Sequence, residues 1–271
     1  MIWLLSCASD STEPLEDSTF EWSEENVAEL STNLFFRRAS LDLRGIPPTP
    51  QELANWSTLS EEDVVKELLE DSRHEDQLRS IFSEWLLTQV EQFNLKHSDY
   101  GLPDEQSYHF LRSVGEEPLR LMAHVGSSDL PWTDVVTADY TIANRLLMEI
   151  WPLIPLVEPS ETSPDWLPAQ YTDGRPSGGV LMTNGLWWRY FTTPNNNNRS
   201  RAAQLSNLFL CENLLQRPIR FSATALIEAD NINNVVQTDP ACIGCHNVLD
   251  PLASAFFGFW WFDIYDVSEL S

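Results

Sequence analysis

Hydrophobic residues recur every three or four positions through much of the chain, and this spacing predicts amphipathic helices. Ser60 is a typical N-cap before one such helix, and Thr49 followed by Pro50 is typical of another helix N-terminus. The longer predicted helices span residues 25–40, 61–71, 75–95, 138–150 and 199–215. The pattern therefore predicts a mainly α fold.

Prolines and polar runs interrupt this pattern and predict the domain organisation. Between Pro152 and Pro176 the prolines multiply and the periodicity fades, which predicts a domain boundary or a long connector. The asparagine run over 195–198 predicts an exposed loop. We therefore expect a helical domain over residues 31–155 and a second helical module, with long irregular loops, over 156–271.

The pattern of residues 1–30 predicts the remnant of a lipoprotein signal followed by an acidic tether. Leu4-Leu5-Ser6-Cys7 resembles a bacterial lipobox, in which the cysteine becomes the lipidated first residue after cleavage. From Ala8 to Phe36 the chain lacks Lys and Arg and is rich in Asp, Glu, Ser and Thr, which is typical of a flexible tether. The sequence thus predicts an exported periplasmic or cell-surface lipoprotein of a Gram-negative-type bacterium, anchored to the membrane through Cys7. The alternative is that this short pattern is a chance feature of the N-terminus.

The charge balance excludes one class of partner and favours another. The chain has 16 basic and 41 acidic residues, a formal net charge of −25. A protein that binds nucleic acid needs a basic face, so nucleic acid is excluded as a partner. The acidic surface either serves solubility or guides a basic redox partner protein.

Cys242-Ile243-Gly244-Cys245-His246 is the motif with the strongest chemical meaning. The spacing matches the signature for attachment of c-type haem. On a helical turn the residues i, i+3 and i+4 share a face, so that two thiols and one imidazole can meet the same porphyrin. The thiols of Cys242 and Cys245 would form thioethers with the haem vinyl groups, and His246 would ligate the iron. The motif predicts one covalently bound haem c.

Two other chemistries use paired cysteines and stay open as alternatives. A zinc site needs a second pair of Cys or His ligands, and His74, His97, His109 and His124 show no paired spacing. A redox dithiol needs a strand before the motif, where the chain is polar. Cys211 stands alone in an apolar run and is expected to be a small buried side chain.

The second axial ligand of the iron is predicted less directly. The chain has no Met after His246, so Met182, which lies between a Gly-Gly pair and a Trp-Trp pair, is the first candidate. The other possible ligands are His97, His109, His124, Met122 and Met148. Asp250-Pro251 predicts a helix start after the motif, and the aromatic residues over 256–262 predict an apolar wall for the haem.

Several segments together resemble a known family. The run from Arg37 to Glu52 resembles the opening of the planctomycete-type cytochrome c domain proteins, and Ala138–Asn144 and Arg175–Leu215 resemble two further signatures of these proteins. The Cys-x-x-Cys-His motif, together with the Asp-Pro and Phe-Asp pairs that follow it, resembles the haem module of these proteins. The chain departs from the family pattern at Ala253 and at Tyr265-Asp266, because relatives usually carry a glycine near each of these positions.

The resemblance implies a secreted, mostly helical, haem-binding protein, for which electron transfer linked to the breakdown of complex substrates is a suggested role. The residues and the resemblance together predict an electron carrier with one haem c in a cytochrome c-like module. Two alternatives stay open: a haem enzyme with an open sixth site that acts on peroxide or a small oxidant, and a surface protein in which the haem is structural.

Overall fold

A computed structural model describes residues 30–89, 95–160, 162–192, 196–216, 235 and 238–256 of the chain. Cys7, the acidic tether and the aromatic residues after Phe256 lie outside this part. The α-helices are α1 (Thr32–Arg44), α2 (Pro50–Trp56), α3 (Glu61–Glu70), α4 (Ser72–Leu86), α5 (Ser107–Ser127), α6 (Asp134–Thr137), α7 (Arg145–Ile150), α8 (Asn184–Arg189), α9 (Arg199–Phe209) and α10 (Pro240–Ser254). The predicted mainly α fold is confirmed. Among these helices, none is long and apolar enough to cross a membrane.

The chain divides into two compact units, with the division between His74 and Glu75. In the first unit, α1, α2 and α3 bury a small core of Phe36, Trp56, Val64 and Leu68. The predicted start of α2 is confirmed: Thr49 Oγ1 accepts a hydrogen bond from Glu52 N at 3.2 Å, and Glu52 Oε2 accepts one from Thr49 N at 2.7 Å. This reciprocal cap satisfies two amides that the helix itself leaves unpaired.

Arg44 links the helices of the first unit. Its side chain is 2% exposed, and its Nη1 lies 2.7 Å from Glu52 Oε1 and 3.1 Å from Asp71 Oδ2. Its Nη2 donates to Ser40 Oγ at 2.8 Å. The hydrogen bond from Arg44 lowers the pKa of Glu52 to about 2. A guanidinium this buried is stable only because carboxylates and hydroxyls replace its water.

The second unit is built around α5 and a three-stranded antiparallel sheet. Strands β1 (Thr141–Asn144), β2 (Leu153–Pro155) and β3 (Trp166–Tyr171) lie in the order β1-β3-β2. Thr141 pairs with Ala169, and Leu153 pairs with Tyr171. The sheet packs against α5, whose second half is buried on nearly all sides.

The structure corrects the helix predicted over 138–150. Its first half is β1, and only Arg145–Ile150 forms a helix. Asn144 separates the two elements because its side chain accepts a hydrogen bond from Leu147 N at 3.0 Å and donates one to Ser113 Oγ at 2.7 Å. All four residues of β1 are buried, so tertiary pairing outweighs their helical spacing.

Two other boundaries differ from the sequence prediction. The helix predicted over 75–95 ends at Leu86, and Leu87 takes a left-handed backbone with φ 52°. The predicted boundary between residues 155 and 156 falls between β2 and β3, which pair directly within the second unit. The proline-rich segment therefore contributes strands to the sheet, with Pro155 in β2 and Pro168 in β3.

Helices α9 and α10 pack together in the second unit and bury a small apolar cluster of Ala202, Ala203, Leu214, Leu249 and Ala253. The helix predicted over 199–215 ends at Phe209, and a 3₁₀ turn follows at Leu214–Gln216. Cys211, between them, is exposed rather than buried, with φ 54°. Asp250-Pro251 does not start a helix but lies inside α10.

The reciprocal cap of α2 gives a first test. We expect Thr49→Ala to destabilise α2 by about 1 kcal/mol, because it removes the hydroxyl that satisfies Glu52 N. Native-state hydrogen exchange should then show α2 amides exchanging about fivefold faster. Thr133 is the matched control, since it occupies the N-cap of α6 without a side-chain hydrogen bond to that helix. Equal effects of Thr49→Ala on α2 and of Thr133→Ala on α6 would argue against the cap.

Candidate haem-attachment site

The Cys-x-x-Cys-His motif lies in the first two turns of α10. The carbonyl oxygen of Asp239 accepts hydrogen bonds from Cys242 N and Ile243 N, both at 2.9 Å, and Pro240 is the first helical residue. Proline is favoured there because its missing N–H would have no helical partner. The motif is therefore on a regular helix, and Cys242, Cys245 and His246 share one face of it. Neither Cys242 nor Cys245 is in a disulfide.

This face of α10 is the one directed toward the protein. Cys242 is buried, and Cys245 and His246 are partly buried. Leu249 and Ala253 continue the same face and belong to the apolar cluster with α9, whereas Gly244 and Asn247 on the other side are exposed. The thiol of Cys245 donates to the carbonyl oxygen of Leu214, with the sulfur 3.8 Å away.

His246 is held by a carboxylate on the next turn of its own helix. Its Nδ1 lies 3.0 Å from Asp250 Oδ1. An ionised carboxylate only accepts hydrogen bonds, so Nδ1 is the protonated donor and Nε2 is left as the nitrogen with a free lone pair. The sequence shows this spacing of four residues, but Asp250-Pro251 predicts a helix start and not a partner for His246.

Arg199, at the start of α9, completes this arrangement. Its Nε lies 2.7 Å from Asp250 Oδ1 and its Nη2 lies 3.2 Å from Asp250 Oδ2. The hydrogen bond from Arg199, more than the one from His246, lowers the pKa of Asp250. Asn198 adds a second link, since its Nδ2 donates to the carbonyl oxygen of Phe256 at 2.7 Å. Asn198 is buried, so the predicted exposed loop over 195–198 is wrong at this residue.

The donor set fits a c-type haem. Two thiols outside any disulfide and one imidazole lie on the same helix face, and the imidazole has its Nδ1 occupied and its Nε2 available for iron. Within the described part of the chain, no group of three or more His, Cys, Asp or Glu side chains is placed to hold a metal ion. A zinc site needs such a group, whereas the proximal side of a haem iron needs only one histidine from the protein.

Met182, the first candidate for the second axial ligand, lies in the main core of the second unit. It ends the 3₁₀ turn Gly179–Met182, is 3% exposed, and its carbonyl oxygen accepts a hydrogen bond from Arg175 Nη1 at 2.6 Å. Two aromatic residues connect this turn with the end of α10. Trp187 donates to the carbonyl oxygen of Leu181 at 2.7 Å, and its ring centroid lies 4.6 Å from that of Phe256.

The other candidate ligands are dispersed over the second unit. His97 pairs with Asp104 in an exposed 3₁₀ region, and Met122 is fully buried in α5. His124 forms an edge contact with Tyr140, with ring centroids 6.0 Å apart. The remaining candidates are His109 in α5 and Met148 in α7.

A second polar cluster lies deep in the second unit, and sequence reasoning missed it. Tyr171 of β3 donates to Glu117 Oε1 of α5 at 2.7 Å, and the guanidinium of Arg175 lies 3.5 Å from the centre of the Tyr171 ring. Arg175 also pairs with Asp173 and donates to Asn184 Oδ1 at 3.0 Å. Burial raises the pKa of Glu117 to about 7, although the Tyr171 hydrogen bond opposes the shift.

These features define the class of protein only as far as a mainly helical protein that carries a Cys-x-x-Cys-His motif on one face of α10. Residues 49–153 match a family model described as PSD4, protein of unknown function (DUF1592), a domain family typical of planctomycete-type cytochrome c proteins. The matched region includes the α2 cap and Glu117, and it ends before α10. No curated protein and no solved structure gave a significant match.

The buried carboxyl of Glu117 gives a second test. Its folded-state pKa of about 7 exceeds its ordinary value of 4.5, so the folded protein binds the proton more tightly than the unfolded chain does. Protonated Glu117 therefore contributes about 3 kcal/mol to the free energy of unfolding. This contribution is present in full below pH 4.5 and is lost as the pH rises to 7. We expect Glu117→Gln to flatten the pH dependence of the unfolding free energy between pH 5 and 8, measured by urea denaturation.

The matched control is Glu105→Gln, because Glu105 is exposed. This variant should keep the wild-type pH dependence. The same slope in wild type and Glu117→Gln would show that Glu117 ionises normally in the folded protein.

Proposed function

We propose that the protein is an exported c-type cytochrome that binds one haem c and transfers electrons. The observation that carries the proposal is the shared helix face of Cys242, Cys245 and His246, with His246 Nδ1 bonded to Asp250. When bound, the haem supplies an iron that cycles between ferric and ferrous states. The residues of the chain bind it, orient its ligand and limit access of water.

Each residue of the motif has a distinct role in this proposal. The Cys242 and Cys245 thiols would hold the haem through thioether bonds to its two vinyl groups, with each thiol hydrogen passing to the other vinyl carbon. His246 offers Nε2 to the iron, because Nδ1 is already engaged. Leu249 and Ala253 on the same face contribute the apolar surface beside the motif.

The partner and the location belong to the same proposal. A net charge of −25 suits a basic redox partner protein, because opposite charges accelerate their encounter. Haem attachment of this type fits a periplasmic or cell-surface protein with a lipid anchor at Cys7. The match to a family typical of planctomycete-type cytochrome c proteins supports the same reading.

Cysteine variants test the attachment. Wild-type protein, matured in a bacterial host that installs c-type haem, should keep its haem on a denaturing gel. The double variant Cys242→Ser/Cys245→Ser should lose all covalent haem, because no thioether can form. Each single variant should retain one thioether at reduced yield.

The matched control for these variants is Gly244→Ala, which changes the spacer between the cysteines. A Cβ at Gly244 meets nothing within 4 Å, so the helix should accept alanine and the haem should stay attached. Wild-type protein that matures without covalent haem would overturn the proposal, provided that circular dichroism shows it to be folded.

The second axial ligand decides between the carrier and the haem enzyme. If Met182 binds the iron, Met182→Leu should convert a low-spin ferric spectrum to a high-spin one and accelerate cyanide binding. Val180→Ala is the matched control, since Val180 is buried in the same 3₁₀ turn as Met182 and offers no ligand atom. An unchanged spectrum in Met182→Leu would exclude Met182. A wild-type iron that is already high-spin and binds cyanide would favour the enzyme.

A further inference from the structure

A chain of hydrogen bonds joins α9 to the ring of His246. Arg199 at the first position of α9 donates to both carboxylate oxygens of Asp250, at 2.7 and 3.2 Å, and Asp250 Oδ1 lies 3.0 Å from His246 Nδ1. All three side chains are partly buried, with exposures of 28% for Arg199, 36% for Asp250 and 24% for His246. The carboxylate is therefore shared between a fixed cation and the imidazole.

We propose that Asp250 is a positioning residue for the iron ligand His246, and that Arg199 and Asp250 set the reduction potential of the iron in opposite directions. This inference rests on the proposed haem attachment. Asp250 fixes the imidazole through Nδ1 and leaves Nε2 for the iron, and its negative charge makes the ring a stronger electron donor. Arg199 draws charge from the same carboxylate and weakens that effect.

The orientation follows from geometry. An imidazole on a helix can rotate about its side-chain bonds, and either ring nitrogen could face a metal. A hydrogen bond from Nδ1 to a carboxylate one helical turn away fixes both the ring plane and the tautomer. Arg199 fixes the carboxylate in turn, since a guanidinium that contacts both oxygens restricts rotation of the carboxyl group.

The opposite signs follow from electrostatics. A negative charge near the iron stabilises the ferric state, which carries one more positive charge than the ferrous state, so Asp250 lowers the reduction potential. Arg199 is a positive charge paired with that carboxylate, so it raises the potential. If Arg199 and Asp250 had only a structural role, neutralising each of them separately would not shift the reduction potential in opposite directions.

Another His–Asp pair in the protein shows what this arrangement adds. His97 Nε2 lies 2.9 Å from Asp104 Oδ1, a distance similar to that of His246 and Asp250. The Asp104 side chain is 99% exposed, whereas that of Asp250 is 36% exposed and is clamped by Arg199. The pair at His246 is thus held by a second helix and partly shielded from water, so its charge acts more strongly on a neighbouring group.

The test compares midpoint potentials of mature, haem-loaded wild type with those of two variants by spectroelectrochemistry. Asp250→Asn keeps a hydrogen-bond acceptor but removes the charge, and we expect it to favour the ferrous state by roughly tenfold, a rise of about 59 mV for one electron. Arg199→Gln should shift the potential downward. The matched controls are Asp42→Asn and Arg38→Gln, which neutralise an exposed Arg–Asp pair at 2.7 Å on α1 and should leave the potential unchanged.

A second readout does not need haem. In the haem-free full chain labelled with ¹⁵N-histidine, NMR should show His246 protonated at Nδ1, and Asp250→Ala should remove this preference. The inference would be overturned if Asp250→Asn and Arg199→Gln shifted the midpoint potential in the same direction, or by no more than the control variants do. A neutral His246 protonated at Nε2 would overturn it as well. In both cases, wild-type protein that carries covalent haem still supports the proposed function. Wild-type protein without covalent haem would instead contradict the proposed haem attachment.

Discussion

Ion pairs between arginine and carboxylate side chains stabilise this acidic protein where charged groups are buried. Of its 16 basic residues, only Lys66 and Lys96 are lysines. Arg44 joins the helices of the first unit through Glu52 and Asp71, and Arg199 joins α9 to α10 through Asp250. A planar guanidinium contacts several oxygens at fixed angles, which a lysine ammonium cannot do.

The same interaction recurs around a single glutamate in the middle of the second unit. Glu116 is 5% exposed and pairs with Arg112 at 2.7 Å, with Arg120 at 3.1 Å and with Arg79 at 3.2 Å. Its pKa is lowered despite burial, whereas that of its neighbour Glu117 is raised, because burial there outweighs the hydrogen bond from Tyr171 and the charge of Arg175. The pKa values of two adjacent glutamates thus shift in opposite directions, according to the balance between burial and partners at each residue.

The proposed haem site depends on this pairing as well. The motif supplies the thiols and the imidazole, but the motif alone does not decide which imidazole nitrogen is available. The carboxylate of Asp250 decides it, and Arg199 from another helix holds that carboxylate. Helices α9 and α10 contact each other through Asn198, Arg199 and the small apolar cluster. These contacts therefore stabilise the fold and also form part of the proposed environment of His246.

Features that depend on neighbouring residues can be predicted from the order of residues. Thr49, Pro50 and Glu52 fixed the start of α2, and Ser60 fixed the start of α3, because helix caps are made by side chains within one turn. The helical presentation of Cys242, Cys245 and His246 followed from their spacing for the same reason. The attachment of haem to them stays a prediction.

Features that depend on distant partners become apparent only in the folded chain. Thr141–Asn144 has helical spacing but forms a strand, since β3 offers it hydrogen bonds from residues 166–169. Asp250-Pro251 predicts a helix start, but Asp250 lies inside α10, and Arg199, far away in the sequence, fixes its carboxylate beside His246. Glu117 carried no recognisable signal, because its pKa is set by burial and by Tyr171. Local hydrogen bonds can be read from residue order, whereas burial and long-range charge pairing exist only once the chain has folded.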